Sequence, residues 1–464
     1  MSGMMERLFQ LKQHKTTARI EVMAGLTTFF ASAFTILAIP GLIGQGDPRI
    51  INGVFFAACL SAAIGSLLKA FLVNIPFVQA PGMGLGSFFA FTAMPALAVL
   101  SGNPDITSVQ TYQMALSLVF ISGVVFAFLS LGKIQGYIID GIPRNIKVAL
   151  GSGIGLFITL LGLRQSGLVV GSPSTFVALI NFGNWADNSH GITGALLSVA
   201  GLFIMVVLAA KKVKGGLLIG IFATTVLAYL TGHTQMPEAF SFDFSGITRD
   251  FLDVSFMRMD FTTMFQGSGL AALGTISALV SAFVLVNMLD ALGTIFGIAS
   301  AAGIVDENGE VRGLKKGMTI DAIGTAIGAM LGSSSTATVV SSASGIAEGG
   351  RTGLTSLVAG ILFFAALFLA PVVGLIPLVA TAPALIFVGC LMMSHIKEVD
   401  FSDLTEAFPA FLTIAMMPLS FSIANGIAFG LISYIVIKLF TGRIKEVKPA
   451  AAIIALIFVL QYIL

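Results

Sequence analysis

Charge is what this sequence has least of. Only 10% of its 464 residues are Asp, Glu, Lys or Arg, against about 25% in an average soluble domain. With 56% hydrophobic residues and a mean hydropathy of +0.99, the composition excludes a water-soluble globular fold and demands a bilayer. The two cysteines, Cys59 and Cys390, each sit in an apolar run, which excludes a disulfide framework and a thiolate metal site. The four histidines (His14, His190, His233 and His395) lie near segment ends and spell no ligand pattern. The apolar segments hold no H-E-x-x-H pair, no paired aspartates and no Ser–His dyad, so intramembrane catalysis has no support. No cofactor, metal or nucleic-acid partner is expected.

What the chain does have is glycine, 52 residues of it, which suits close helix packing and interrupted helices. A polar, basic arm of residues 1–21 leads into a full-length apolar segment, and no cleavable signal peptide is expected. Apolar spans are predicted at 22–44, 53–74, 77–100, 112–132, 144–164, 192–210 and 215–233. After a polar connection, residues 234–275, they resume at 276–300, 318–332, 336–348, 354–374, 376–396, 406–422 and 425–441. A tail, 442–464, ends in an apolar segment that either crosses or lies on the surface. With the N-terminus in the cytosol, all but Arg49, Arg164, Arg249 and Arg258 of the 24 basic residues fall on the inner side, as the positive-inside rule requires.

Seven spans in each half force the second half to run upside down relative to the first. The expected fold is therefore an all-α membrane protein of 14 spans in a 7+7 inverted repeat, with its site at mid-membrane. Residues 22–233 and 276–441 are the two repeats. Both third spans are poor helices at their start. Pro81, Gly82, Gly84 and Gly86 interrupt FVQAPGMGLGSFF, and LGSSSTATVVSSASG is small, hydroxylated and β-favouring. Each is read as a short extended strand followed by a half-helix, the two strands meeting at mid-membrane and the half-helix starts aimed at a common point.

Asp290 is the lone ionisable residue of residues 278–300, ALVSAFVLVNMLDALGTIFGIAS. A carboxylate at that depth costs roughly 2.5–3.5 kcal/mol on insertion, and it persists where it faces a polar cavity and binds something. Asp321, near the start of the ninth span and a turn beyond Lys316, is the second ionisable candidate. Its nearness to a basic loop suggests an interfacial ion pair or helix cap ahead of proton coupling. Arg351 is expected to anchor the inner end of the tenth span at the lipid surface, or to lock it to the eleventh span or a partner domain.

Six segments carry a family likeness: EVMAGLTTFF, QAPGMGL, MLDALGT, GGRTGLTSL, ATAPALIFVG and MMPLSFSIANGIAFG. In that order they resemble the nucleobase:cation symporter-2 (xanthine/uracil permease) superfamily, in its AzgA-like hypoxanthine/guanine/adenine permease branch, over nearly the whole chain. The resemblance implies a core domain (spans 1–4 and 8–11) and a gate domain (spans 5–7 and 12–14). It implies proton-coupled purine import across the cytoplasmic (inner) membrane, and a homodimer. Asp290 takes the position of the acid that hydrogen-bonds the base, in a D-x-x-G-T pattern ending at Thr294. A base would lie against Phe88 or Phe89, with Gly86, Ser341 and Ser342 completing the site, and Asp290 or Asp321 would carry the coupling proton. Two positions depart from the branch. Ser341 stands where it commonly has glutamate, and a serine cannot carry a proton at neutral pH; Gly86 stands where it commonly has asparagine. A same-fold carrier of xanthine, uracil or an organic anion, with sodium coupling, is the competing reading, although Asp290 would repel an anion.

Overall fold

The computed structural model describes residues 2–131, 141–172, 176–213, 215–235, 244–266, 269–301, 313–369 and 375–463. Lys133, Lys214 and Arg312 of the inner basic set lie outside them. Among the described residues nine helices are long and apolar enough to cross a membrane, and four shorter apolar helices accompany them. In chain order the elements are α1 (Ala18–Ser32), α2 (Phe34–Gly44), α3 (Pro48–Leu72), β1 (Gln79–Pro81), α4 (Met83–Leu100), α5 (Ser108–Leu131), α6 (Arg144–Gln165), β2 (Val169–Ser172), β3 (Phe176–Leu179), α7 (Trp185–Ala210), α8 (Gly216–Leu230), α9 (Gly269–Ala301), α10 (Leu314–Leu331), β4 (Thr336–Thr338), α11 (Ser342–Ala347), α12 (Gly353–Ala366), α13 (Leu378–Met392), α14 (Leu404–Leu419), α15 (Ile423–Phe440) and α16 (Pro449–Ile463).

The starts of these helices follow ordinary capping chemistry. Asp47 accepts from the Arg49 N–H ahead of α3, with Pro48 in the first turn, where its missing donor costs nothing. Thr17, Thr352, Asp403 and Ser422 cap α1, α12, α14 and α15 in the same way. α4 is interrupted by a π turn at Phe89–Ala93, an irregularity often found at functional sites.

The helices pack in two groups. One gathers α1 to α5 with α9 to α12, in which α5 lies along α10, α12 along α3 and α1, and α11 against α1. The other gathers α6 to α8 with α13 to α15, centred on α6 between α13 and α14. α16 bridges them, touching both α9 and α15. It runs back along α15, since Pro449 follows the end of that helix while the Tyr462 hydroxyl reaches Asn425 Oδ1 at its start, 2.8 Å away. The apolar tail therefore packs as a helix beside α15.

Three features differ from the sequence reading. The connection 234–275 is not simply a polar loop, because short helices form at Phe244–Asp250 and Phe261–Gln266. β2 and β3 make an antiparallel hairpin between α6 and α7, where β-branched residues flank a Gly-Ser-Pro-Ser sequence. Lys69, assigned to the inner basic set, is instead fully buried in the last turns of α3.

Candidate functional site

Among the described residues, the Gly/Pro-rich and the Ser/Thr-rich segment meet as a two-stranded sheet. β1 and β4 pair antiparallel with Gln79 opposite Thr338, Ala80 opposite Ala337 and Pro81 opposite Thr336. Two further backbone bonds extend the ladder, Gly82 N–H to Ser335 O at 3.2 Å and Val339 N–H to Val78 O at 3.0 Å. Extended backbone in an apolar interior must find partners elsewhere, and side chains of neighbouring helices supply them. Ser66 of α3 bonds both the N–H and the C=O of Gln79. Ser342 Oγ accepts from Val78 N–H at 3.0 Å, and Ser356 of α12 donates to the carbonyls of Ile75 and Phe77. The crossing is thus fixed by hydroxyls that a hydropathy scan counts as noise.

Asp290 lies on α9, the helix that packs against α4, β4 and α11. It is half-buried, and among the described residues its carboxylate has neither a hydrogen-bond donor nor an ion-pair partner. One turn ahead, buried Asn287 donates to Thr325 Oγ1 at 2.8 Å, and that hydroxyl lies 3.0 Å from Ser335 Oγ; the Asn287 carbonyl oxygen has no partner among the described residues. Thr294, one turn beyond Asp290, is buried. Between β4 and α11, Val340 is 66% exposed and Ser341 half-buried, so the start of α11 is uncovered. Ser342 turns away from that opening into its bond with Val78.

The other expected residues fall as follows. Gly86 is pressed against α2: a Cβ there would lie 2.6 Å from Ile39 Cδ1 and 3.5 Å from Ser334 Oγ. A larger residue at this position would have to displace Ile39, which accounts for glycine here. Phe88 and Phe89 are fully buried. The Phe88 ring packs on Phe283 of α9 at 4.5 Å, and Phe89 meets Tyr112 edge-on at 5.9 Å.

Asp321 is not interfacial. It sits two turns into α10 with no exposed surface and pairs not with Lys316 but with Lys69, Nζ to Oδ1 at 2.8 Å. Gln79 Nε2 donates to the same carboxylate at 2.5 Å, and Thr338 Oγ1 donates to it at 2.7 Å while accepting from Lys69 Nζ. Thr338 and Gln79 are the paired residues at one end of the strand crossing. Gly65 and Gly324 make room for Gln79, since a Cβ at either would run into its side-chain oxygen.

Arg351 has a structural role at the end of the tenth span: its Nη1 donates to the carbonyls of Ile346 and Gly350 at 2.8 and 2.7 Å, closing the end of α11. Glu21, fully buried in α1, accepts from the N–H groups of Arg351, Thr352 and Thr355 and from the Thr355 hydroxyl at 2.6 Å. A carboxylate at the start of α12 is favoured by both the unpaired N–H groups and the helix dipole. EVMAGLTTFF and GGRTGLTSL thus meet in one cap. Sequence reasoning gave no site role to Lys69, Gln79, Asn287 and Glu21; the one signal was a charged or amide group within or at the edge of an apolar segment.

Comparison with known proteins places this geometry. The pattern of the permease family, labelled for xanthine and uracil permeases, matches residues 19–429. The chain is 37% identical to the adenine permease AdeP of Escherichia coli, over 99% of this chain and 96% of that one. It is 36% identical to the guanine/hypoxanthine permease PbuO of Bacillus subtilis, over 98% and 99%. Among solved structures, the transmembrane domain of a cyanobacterium bicarbonate transporter, BicA, superposes with a TM-score of 0.62 at 16% identity, over 88% of this chain and 97% of that one. SLC26A9 follows at 0.61 and 12%, over 91% of this chain and 65% of that one. Those two likenesses concern the fold alone. The acid that finds no partner among the described residues, on a helix packed against two broken spans of a mostly helical membrane scaffold of this kind, sits in a chain that belongs to the nucleobase:cation symporter-2 family of permeases, transporters and not enzymes.

Proposed function

We propose that this chain imports a purine nucleobase (hypoxanthine, guanine or adenine) by proton symport, with Asp290 as the residue that holds the base. The observation that carries this reading is the Asp290 carboxylate, half-buried and unpaired among the described residues, on the helix that packs against both interrupted spans. A purine edge offers N–H donors that a carboxylate accepts in pairs, and the uncovered start of α11, with Val340 and Ser341, can meet another edge. The names of AdeP and PbuO support a purine as the cargo.

Gly86, Ser341 and Ser342 belong to the proposed site through their nearness to this crossing, and Thr294 through its place one turn beyond Asp290. Phe88 or Phe89 can stack on a base only by giving up its contact with Phe283 or Tyr112. Asp290 is the proposed carrier of the coupling proton, in preference to Asp321, whose charge Lys69 already neutralises. The two packing groups support core and gate domains that move past one another in alternating access. The rest of the proposal comprises 14 spans in a 7+7 inverted repeat (22–233 and 276–441, joined by 234–275, with arm 1–21 and tail 442–464), a cytosolic N-terminus, an inner-membrane location and a homodimer.

The test is uptake of radiolabelled adenine, guanine, hypoxanthine, xanthine and uracil into vesicles, with and without an inward proton gradient. Saturable, gradient-stimulated uptake of a purine is expected. Uptake of none of the five, or uptake that ignores the proton gradient and follows sodium, removes the reading or its coupling scheme respectively.

A further inference from the structure

Lys69 and Asp321 are both fully buried, and the two charges meet at the end of the strand crossing. Removing one ion from water to such a place costs several kcal/mol unless it is paired and hydrogen-bonded. Here the pairing is complete on the acid, which takes the ammonium, the Gln79 amide and the Thr338 hydroxyl together. The four side chains come from α3, α10, β1 and β4. Each strand therefore supplies one ligand to a charge that a helix on the far side neutralises.

The other ionisable groups on elements packed against α3 and α10 are otherwise engaged or remote. Tyr112 of α5 bonds Ser255 and Gly332. Arg49, Arg249, Asp250 and Asp253 gather where α3 begins, with Asp250 held by Asn52 at 2.8 Å, and Lys315 and Lys316 are exposed at the start of α10. Among the described residues, Asp290 of α9 is the one carboxylate on the helices packed against α10.

We propose that Lys69 is a positioning residue for transport, a resident cation that pairs with Asp321 under the strand crossing and so leaves Asp290 as the single unpaired acid of the helices packed there. The proposal rests on the transport reading for its ligand but not for its charge chemistry. Without Lys69, Asp321 would face Asp290 as a second bare carboxylate or take up a proton of its own. The mid-membrane would then bind one proton more than the native protein, and the crossing would keep its shape only in acid.

The experiment uses the full chain in lipid nanodiscs, with thermal unfolding and purine binding each followed from about pH 5 to about pH 8. In Lys69→Met the folded state holds a proton on Asp321 that the unfolded chain releases, so stability is highest in acid and falls as pH rises through that interval. Its melting temperature should drop with pH more steeply than that of the native protein. Its affinity for the purine should fall about tenfold for each pH unit toward the alkaline end and recover in acid. Lys69→Met/Asp321→Asn restores the net charge and should regain the native pH slope in both measurements. If Lys69→Met follows the native protein across the range, or the double variant keeps the slope of the single one, the proposal is wrong. Should Lys69→Met alone fail to insert, the double variant decides: native slope supports mutual neutralisation, and any other slope, or failure to insert, overturns it. A native protein that binds no base ends the functional reading, while the melting curves still judge Lys69.

Discussion

At the scale of single residues, the unusual feature of Asp290 is what it lacks. Other buried charged side chains here are answered: Asp321 by Lys69 and Glu21 by the start of α12. Asp290 bears the cost of an acid in an apolar span with no donor among the described residues, and a ligand that brings donors supplies what is missing. A hydrogen bond to a charged acceptor is worth roughly 1.5–3 kcal/mol, so Asp290→Asn should weaken base binding about ten- to hundredfold and abolish coupled uptake. Expression and melting temperature should hold or rise, because the amide costs less to bury. Full uptake by this variant would end the role assigned to Asp290. This acid was legible from sequence, since a single ionisable residue in a long apolar run advertises itself. Its contrast with Asp321 was not. Both are acids in apolar segments, and only the fold shows that one has a lysine from a span some 250 residues earlier in the chain.

At the scale of elements, the broken spans owe their shape less to their own sequence than to what holds their ends. α11 is six residues long, too short to be stable by itself. Arg351 closes its far end, and Glu21 then ties the following turn to α1. Glu21→Ala would leave the buried Thr352 N–H and the half-buried Arg351 N–H without their acceptor, while Thr355 N–H keeps the Thr352 carbonyl, and a buried group left unsatisfied costs about 1–3 kcal/mol. The melting temperature should fall markedly, and uptake should fall with it even though Glu21 is remote from any base. Glu21→Gln, which keeps one acceptor oxygen, should lie between. A Glu21→Ala protein that melts like the native one would show the cap to be dispensable. The interruption in each broken span could be read from Pro81, Gly82 and the serine run, because those residues disfavour helix whatever surrounds them. The cap could not, because Glu21 and Thr355 lie 334 positions apart. For the same reason the hairpin at β2 and β3 and the short helices in 244–266 escaped a reading tuned to long apolar runs.

At the scale of the whole molecule, the two packing groups meet where α4 and α9 reach α6 and α15 and where α1 and α2 reach α8 and α13, and those places test whether they move. Gly84, beside the strand crossing, faces α6 across the boundary: a Cβ there would lie 2.9 Å from Ile154 Cγ2. Cysteines at both positions bring their Cβ atoms into the range a disulfide spans, about 3.5–4.5 Å. If transport requires one group to slide past the other, oxidising Gly84→Cys/Ile154→Cys should stop uptake, and reduction should restore it. A matched pair within one group supplies the control. Gly220 of α8 faces Met205 of α7, with a Cβ at Gly220 placed 3.5 Å from that of Met205. These helices pack together in the second group, so oxidised Gly220→Cys/Met205→Cys should carry cargo at the rate of its reduced form. The comparison reads out relative motion and not stability, because each disulfide is judged against the same protein with its thiols free. If both pairs are silent when oxidised, the groups do not move apart at α4 and α6, and access to Asp290 must open within the first group, where the π turn of α4 is the weakest point of the helix that leads from the crossing.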